Sequence, residues 1–278
     1  IQASNDSRLD PEFYQPNHLD TEKRLLNIGS RKLGSLAELY DGPFGSVLHA
    51  DQYVNSGVPV LHMQNVSEDG FLTLDEPEFI SQEDADALPK HLAYPGDVIV
   101  TKIGFLGYST VLPKDYPRYF FRRETTRVKL RDYRTLNSYY LATFFNSSLG
   151  RQQTYRFSSG ATRDRILLIN QRKMLIPVLS MDFQKQIEIL CRTAFSLIGK
   201  SKQIYQVAEE NLLSELGLQG WEPISTLTYV RNYSQAALSR RIDAEHFHPK
   251  YDELRECICN YQNGYLGITD IAINSAET

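Results

Sequence analysis

The stretch MDFQKQIEILCRTAFSLIGKSKQIYQVAEENLLSELG (181–217) decides the fold class of this chain, because its apolar residues recur every seven positions. No proline interrupts the stretch, and its internal glycine, Gly199, lies off the repeating positions. The pattern predicts a helix roughly 50 Å long with a narrow coiled-coil seam. The predicted helix-pairing residues are Phe183, Ile187, Leu190, Ala194, Leu197, Ile204 and Ala208. A seam this narrow favours a partner helix; packing against the helix's own domain is the alternative.

The residues before this helix predict a strand-rich mixed domain. VPVLHMQNV (58–66) has the apolar density of a buried strand, and YPGDVIVTKIGFLGYSTVLP (94–113) predicts two strands joined by a glycine-marked turn. TTRVKLRD (125–132) alternates like a strand. Helical signals occur at 79–88, with Ser81 as N-cap, and at 138–157. We therefore predict an α+β fold in which a strand-rich mixed domain precedes a long coiled-coil-forming helix.

An internal repeat divides the chain. QASNDSRLDPEFYQP (2–16) matches QAALSRRIDAEHFHP (235–249) at a constant offset of 233, and the ungapped register continues to Leu33-Gly34 and Leu266-Gly267. The repeat predicts one complete unit and the start of a second. The expected boundaries are 1–180 for the first domain, 181–218 for the helix and 219–278 for the start of the second repeat.

Composition excludes several classes of protein. The chain is 41% hydrophobic and 23% charged, which is globular, and no apolar run is long enough to span a membrane. Three cysteines indicate reduced thiols and a cytoplasmic protein. His246 and His248 resemble a metal-ligand pair, but the repeat places Phe13 and Gln15 at the equivalent positions. We expect no metal and no cofactor.

Charge is distributed unevenly along the chain. Residues 35–97 hold twelve acids and one base, whereas residues 101–173 hold fifteen bases and four acids. The two segments either neutralise each other within one domain or present a basic surface to a polyanion. The basic segment is also rich in tyrosine, phenylalanine and glutamine, which suits contacts to phosphates and base edges.

Two turns are the strongest candidates for contact with a nucleic acid. In TKIGFLGYS (101–109), two glycines allow close backbone approach between Lys102 and Tyr108, although a plain hairpin is the alternative. In SSGATRDR (158–165), a flexible start precedes two arginines, which can grip a guanine edge or a phosphate. The predicted DNA-binding residues are Lys102, Tyr108, Arg122, Arg123, Arg156, Arg163 and Arg165.

The chain shows no catalytic motif. The acidic cluster between Asp75 and Asp86 is typical of a solvated loop and a helix cap, and the sequence contains no glycine-rich cofactor loop after a first strand, no adenine-methyltransferase motif and no nucleophile elbow. We expect a protein that is not itself an enzyme.

In this order and spacing, the segments resemble the specificity subunit of type I restriction–modification enzymes. The stretches GVPVLHMQNV (57–66), PGDVIVTKIGFLGYSTVLP (95–113) and NSYYLATFFNSSLGRQQTYRFSSGAT (137–162) look like that family's target-recognition domain, and 167–187 looks like its junction with the spacer helix. The resemblance implies that the chain reads half of a split double-stranded DNA site and docks methyltransferase subunits, which use S-adenosylmethionine. A restriction subunit would join in the full complex. The long helix would pair antiparallel with a second long helix, which a second copy of this chain could supply by self-association.

Two other interpretations remain. The chain could be a recognition module separated from a fused methyltransferase–nuclease, which a catalytic domain in the full gene would reveal. It could also be a helical adaptor that does not bind DNA.

Overall fold

The computed structural model describes residues 10–43, 47–48, 52–160, 164–223 and 226–268. The chain divides into two compact units, residues 1–195 and residues 196–278. One long helix, Met181–Glu215, begins in the first unit and ends in the second. None of the described helices combines the length and apolar character needed to cross a membrane.

The first unit mixes short strands with short helices, and the long helix follows it, so the predicted α+β class is confirmed. Its strands are β1 (Arg31–Lys32), β2 (Ala37–Asp41), β3 (Tyr53–Val54), β4 (Val58–Leu61), β5 (Phe79–Ile80), β6 (Leu92–Ala93), β7 (Val98–Thr101), β8 (Ser109–Val111), β9 (Tyr119–Phe121), β10 (Thr125–Leu130) and β11 (Leu175–Ile176). The helices, up to and including the long one, are α1 (Pro16–Asn27), α2 (Leu33–Leu36), α3 (Gln82–Ala87), α4 (Ser138–Asn146), α5 (Ser148–Phe157), α6 (Leu168–Gln171) and α7 (Met181–Glu215).

An antiparallel sheet with the strand order β2-β10-β7-β8 is the framework of this unit. Thr125 pairs with Thr101 and Thr126 with Asp41, while Leu130 pairs with Ala37 at the other end of β10. The end of β2, the end of β7 and the start of β10 therefore lie together, next to the start of β8. We call this edge the turn end of the four-stranded sheet.

A second sheet has the strand order β3-β5-β4-β9-β6, and β4 and β9 run parallel within it. Strand β4 ends at Leu61, earlier than the predicted 66, because His62 begins a 3₁₀ turn at Met63–Asn65. Strands β1 and β11 form a separate two-stranded pair that joins an early and a late segment of the unit.

The main core lies between the four-stranded sheet and helices α1, α4 and α5. Val100 and Val128 contribute from the sheet, and Leu25, Leu141 and Phe157 contribute from the helices; each is almost fully buried. Burying a side chain of this kind stabilises the fold by about 1.5–3 kcal/mol. The core thus fixes α5, which leads into the turn at 158–165, against the sheet.

The two helices predicted from the sequence at 79–88 and 138–157 differ in how well the structure matches them. Ser81 caps α3 as predicted, since its Oγ accepts a 3.0 Å hydrogen bond from the Asp84 amide. The predicted helix at 138–157 is instead two helices, and Ser147 caps the second by accepting from the Gly150 amide. A Cβ atom on Gly150 would lie 2.1 Å from the Phe144 carbonyl oxygen. Glycine is therefore required where α5 turns back against α4.

The acidic and basic segments are joined by ion pairs within the first unit. The most buried of them links Asp97 to Arg127 at 2.6 Å, where Arg127 also donates to the Leu92 carbonyl oxygen. Pairs of this kind between the two segments are Asp41–Lys102, Glu38–Arg131, Glu68–Arg151, Asp86–Arg118 and Asp97–Arg127. Mutual neutralisation therefore accounts for a substantial share of the basic segment's charge.

The start of α7 docks on the first unit through a polar stripe and through the first residues of its apolar seam. Gln184 is buried and its amide group bonds to the backbone of Asn137 and Thr135. One and two turns further on, Glu188 accepts from the Asn137 side chain and Cys191 contacts Thr143. Within the seam, Ile187 packs against the core, the Phe183 ring contacts that of Tyr140, and Ala194 is partly buried. The other predicted pairing residues are exposed: Leu190, Leu197, Ile204 and Ala208.

The second unit contains the remainder of α7 together with α8 (Tyr233–Ser239) and α9 (Pro249–Cys259). A 3₁₀ turn at Glu245–Phe247 precedes α9, just as a 3₁₀ turn at Pro11–Tyr14 precedes α1. Both helices begin at a proline, Pro16 and Pro249, which are 233 positions apart. Where the structure describes both matching segments, they share secondary structure as well as sequence.

Candidate nucleic-acid interface

The two turns that the sequence singled out are hydrogen-bonded to each other. The Ile166 amide donates to the Lys102 carbonyl oxygen at 3.0 Å, and Ile103 forms a β-bridge with Arg165. The Gly104 amide also donates to the Asp164 carbonyl oxygen at 3.4 Å. The turn between β7 and β8 and the segment after α5 therefore form one continuous surface.

A third basic turn joins them at the turn end of the sheet. It connects β9 to β10 and contains Arg122 and Arg123. The Lys102 amide donates to the Glu124 carbonyl oxygen at 2.9 Å. A Cβ atom on Gly42 would lie 2.2 Å from the Arg122 carbonyl group, so the chain that leaves β2 passes directly against this turn.

Lys102 lies beneath this surface. Its side chain is only 8% exposed, and its ammonium group pairs with the carboxylate of Asp41. Burial lowers the pKa of the Lys102 ammonium to about 8; nearby Arg123 and Arg165 act in the same direction, and Glu124 opposes them. At neutral pH the ammonium group is still mainly protonated. Lys102 is therefore a buried positive charge at the base of the turn, where it pairs with Asp41.

The arginines of the turn end differ in exposure. Arg165 is exposed, whereas Arg122 and Arg123 are partly buried, and Arg122 donates a 2.8 Å hydrogen bond to the Tyr53 hydroxyl. Two carboxylates, Glu124 and Asp164, belong to the same turns. These carboxylates weaken the overall positive charge of the surface. Its main feature is therefore a set of individual guanidinium groups at fixed positions.

Tyr108 is partly exposed and belongs to an aromatic stack at the turn. Its ring lies parallel to that of Phe105, with centroids 5.6 Å apart and an interplanar angle of 6°. The guanidinium carbon of Arg151 lies 4.1 Å from the centre of the Tyr108 ring. Tyr108 is therefore held between its own turn and α5.

Arg156 is buried and ion-paired, as Lys102 is, but its partners lie near the start of the unit. Its side chain is 4% exposed, donates to the Phe13 carbonyl oxygen at 3.0 Å, and pairs with Glu22 at 3.0 Å. Its guanidinium group also covers the Phe13 ring. These contacts join α5 to the start of the unit and hold the Arg156 side chain within the fold. Arg163 lies outside the described residues.

Sequence reasoning missed three participants at this end of the sheet: Asp41, Arg151 and Phe105. The pairing of Asp41 with Lys102 depends on the strand register, which no local motif specifies. Phe105 carried a usable signal, since it stands between two glycines at the tip of a predicted turn. Among the described residues, no group of histidine, cysteine and acidic side chains is arranged to hold a metal ion.

Comparisons with known proteins give a likeness to solved structures alone. No family model and no curated protein matches the chain. It is similar to a solved structure described as the complex assembly and conformational transition of the type I R-M system, at 17% identity and a TM-score of 0.44, over 70% of this chain and 49% of that one.

Two further solved structures are similar. The type I restriction-modification S subunit of M. genitalium is 16% identical with a TM-score of 0.41, over 68% of this chain and 41% of that one. The HsdS subunit of Thermoanaerobacter tengcongensis is 16% identical with a TM-score of 0.43, over 67% of this chain and 46% of that one. The chain thus spans less than half the length of these solved chains, and a likeness at this level carries no functional conclusion.

Proposed function

We propose that this chain is the sequence-specificity protein of a type I restriction–modification complex and reads one half of a bipartite site in double-stranded DNA. One observation carries the proposal: three turns that hold Lys102, Tyr108, Arg122, Arg123 and Arg165 meet at one end of one sheet. Loops on a rigid scaffold are a common place for recognition residues. The core and the buried Asp97–Arg127 pair supply that scaffold.

The chemistry of the surface favours base reading over general attraction to DNA. Arginine can bond to both acceptors of a guanine in the major groove, or to a phosphate. The nearby carboxylates of Glu124 and Asp164, with a net charge of −4 for the chain, reduce long-range attraction. Affinity would then depend on a few directed contacts, with Arg165 and Arg122 as the main donors.

The long helix would serve as a spacer between two recognition domains. The exposed residues of its seam, Leu190, Leu197, Ile204 and Ala208, belong to the heptad pattern that pairs with another helix. The matching segments 233 positions apart support a second recognition unit or a second copy of this chain as the source of that helix. The domain boundaries at 180 and 218 belong to this proposal.

The chain would contribute recognition and its partners would contribute the chemistry. Methyltransferase subunits would dock on it and use S-adenosylmethionine, and a restriction subunit would join in the full complex, in the cytoplasm. A recognition module of a fused methyltransferase–nuclease would use the same turn end. If the chain were a helical adaptor that does not bind DNA, the three basic turns at one end of the sheet would have no role.

Two measurements test the proposal. The full chain, mixed with a randomised duplex library, should enrich one defined half-site or a spaced pair, and the affinity should fall as salt rises. Co-expression with methyltransferase partners should then place methyl groups at that site in the host genome, and the chain alone should methylate nothing. Binding that is absent, or equal for all duplexes, would contradict sequence recognition, and methyl transfer by the purified chain would contradict the absence of catalysis.

A further inference from the structure

Phe105 is an exposed aromatic side chain at the tip of the turn between β7 and β8. It is 51% exposed, although the next residue, Leu106, is 2% exposed and packs in the core. Gly104 and Gly107 both have positive φ angles, 77° and 78°, which side-chain-bearing residues rarely adopt. The backbone thus follows a turn that anchors Leu106 inside and presents Phe105 outside.

The Phe105 ring is supported on one side by a chain of neighbouring side chains. It stacks on Tyr108, and the Tyr108 ring in turn contacts Arg151. Arg151 donates a 3.1 Å hydrogen bond to the Glu68 carbonyl oxygen. The Thr101 amide donates to the Tyr108 carbonyl oxygen at 2.8 Å, and the Tyr108 amide donates to the Thr101 hydroxyl at 2.9 Å, which closes the turn. Phe105 is therefore preorganised, and its exposed face loses little conformational freedom when a partner covers it.

The surroundings of Phe105 limit the chemistry that it can recognise. The turn lies beside the exposed Arg165, through the bridge between Arg165 and Ile103. A phenyl ring has no hydrogen-bond donor for a phosphate, but it can contact the C5-methyl group of a thymine in the major groove. Insertion between base pairs is the other use of such a side chain.

We infer that Phe105 is a specificity-determining residue that selects thymine by apolar contact with its C5-methyl group. This inference rests on the proposed DNA recognition and names one contact within it. The flanking arginines position the duplex, and the stacked ring favours a methyl-bearing pyrimidine at one place in the half-site. Deoxyuridine lacks only that methyl group, so it provides a direct probe of the contact.

The experiment uses the full chain and the duplex that it selects. Each thymine of the half-site is replaced in turn by deoxyuridine, and the Kd is measured for the unsubstituted chain, for Phe105→Ala and for Tyr133→Ala. Tyr133 is a matched control: it is 55% exposed and follows β10 at the opposite end of the sheet. Deoxyuridine at one position should weaken binding by the unsubstituted chain by about fourfold, the value of one buried methyl group.

The variants separate this contact from general binding. Phe105→Ala should bind the thymine and deoxyuridine duplexes equally, while Tyr133→Ala should keep the fourfold difference. Should Phe105→Ala unfold, Phe105→Leu replaces it and should reduce the difference while binding persists. A full difference in every folded Phe105 variant would overturn the inference, as would a half-site with no sensitive thymine.

Two other outcomes can be distinguished from recognition of the thymine methyl group. Increased fluorescence of a 2-aminopurine beside the site, without sensitivity to deoxyuridine, would show insertion between base pairs and overturn methyl recognition. Failure of the unsubstituted chain to bind any duplex would overturn the proposed function together with this inference.

Discussion

The backbone amide of Ile166 donates a 3.0 Å hydrogen bond to the carbonyl oxygen of Lys102. This bond joins two turns that lie far apart in the sequence, and the bridge between Ile103 and Arg165 extends the junction. Because the turn between β7 and β8 is fixed to the four-stranded sheet, the segment that carries Arg165 is fixed as well. The proposed DNA surface is therefore a property of the sheet and not of one flexible loop.

Removal of arginines at the turn end should weaken DNA binding. Replacing Arg122 and Arg165 together with alanine should flatten the salt dependence of the affinity by roughly one unit for each phosphate that an arginine no longer neutralises. Where an arginine instead contacts a base, the variant should lose discrimination at one position by about 1–3 kcal/mol. Both quantities are measured on the selected duplex by fluorescence anisotropy over a range of salt concentrations.

The matched control removes the same charge from the opposite end of the sheet. Arg131 and Arg134 follow β10 there, and their joint replacement with alanine should leave the salt dependence and the discrimination nearly unchanged. Equal effects of the two double variants would show that charge alone, without position, governs binding.

Arg156 should affect stability and not DNA recognition. Its buried guanidinium group bonds to Phe13 and Glu22, so Arg156→Ala should lower the free energy of unfolding by about 2–3 kcal/mol. The exposed Arg172 is a suitable control, and Arg172→Ala should change stability by less than about 0.5 kcal/mol. Urea unfolding measures both. An Arg156→Ala variant with unchanged stability and weakened DNA binding would return Arg156 to the DNA surface.

The ion pairs that join the acidic and basic segments should contribute unequally to the stability of the first unit. Asp97→Ala leaves the buried Arg127 without its carboxylate and should destabilise the first unit by about 3–5 kcal/mol. Arg118 and Asp86 form an exposed pair, in which the hydrogen bond from Arg118 holds the pKa of Asp86 below its usual range. Asp86→Ala should leave thermal unfolding almost unchanged, because water screens this pair. Similar destabilisation of the two variants would contradict this distinction.

The sequence predicts local elements of this fold better than its long-range contacts. Ser81 is recognisable as a helix cap because capping depends on neighbours three residues away, and the heptads identify the long helix for a similar reason. The pairing of Lys102 with Asp41 depends on the register of non-local strands, so the sequence alone presents Lys102 as a basic surface residue. The same reason explains why the sequence does not reveal the internal contacts of Arg156, since its partners Phe13 and Glu22 lie more than a hundred positions away.

The long helix should determine the distance between two half-sites. Insertion of one heptad after Leu197 keeps the seam in register and lengthens each of two paired helices by about 10 Å. In a complex of two identical chains, the gap between half-sites should grow by about three base pairs, at roughly 3.4 Å per base pair. The half-sites themselves should not change, since the turns that read them are untouched.

Selection from a library with randomised spacing measures this gap. The added DNA rotates one half-site around the duplex axis, so some decrease in affinity is expected with the longer gap. Recovery of the original gap at full affinity would show that the helix is a docking surface and does not set the spacing.

The position of DNA on the protein tests the central claim most directly. The selected duplex, carrying photoreactive 5-iododeoxyuridine at each thymine position in turn, is cross-linked to the full chain, and the attached residues are identified by mass spectrometry. We predict attachment within residues 102–108, 122–123 and 158–165; the described residues of these stretches meet at the turn end of the four-stranded sheet. Attachment confined to residues 130–137 at the opposite end, or to the acidic segment 68–86, would contradict the claim that the turn end reads DNA.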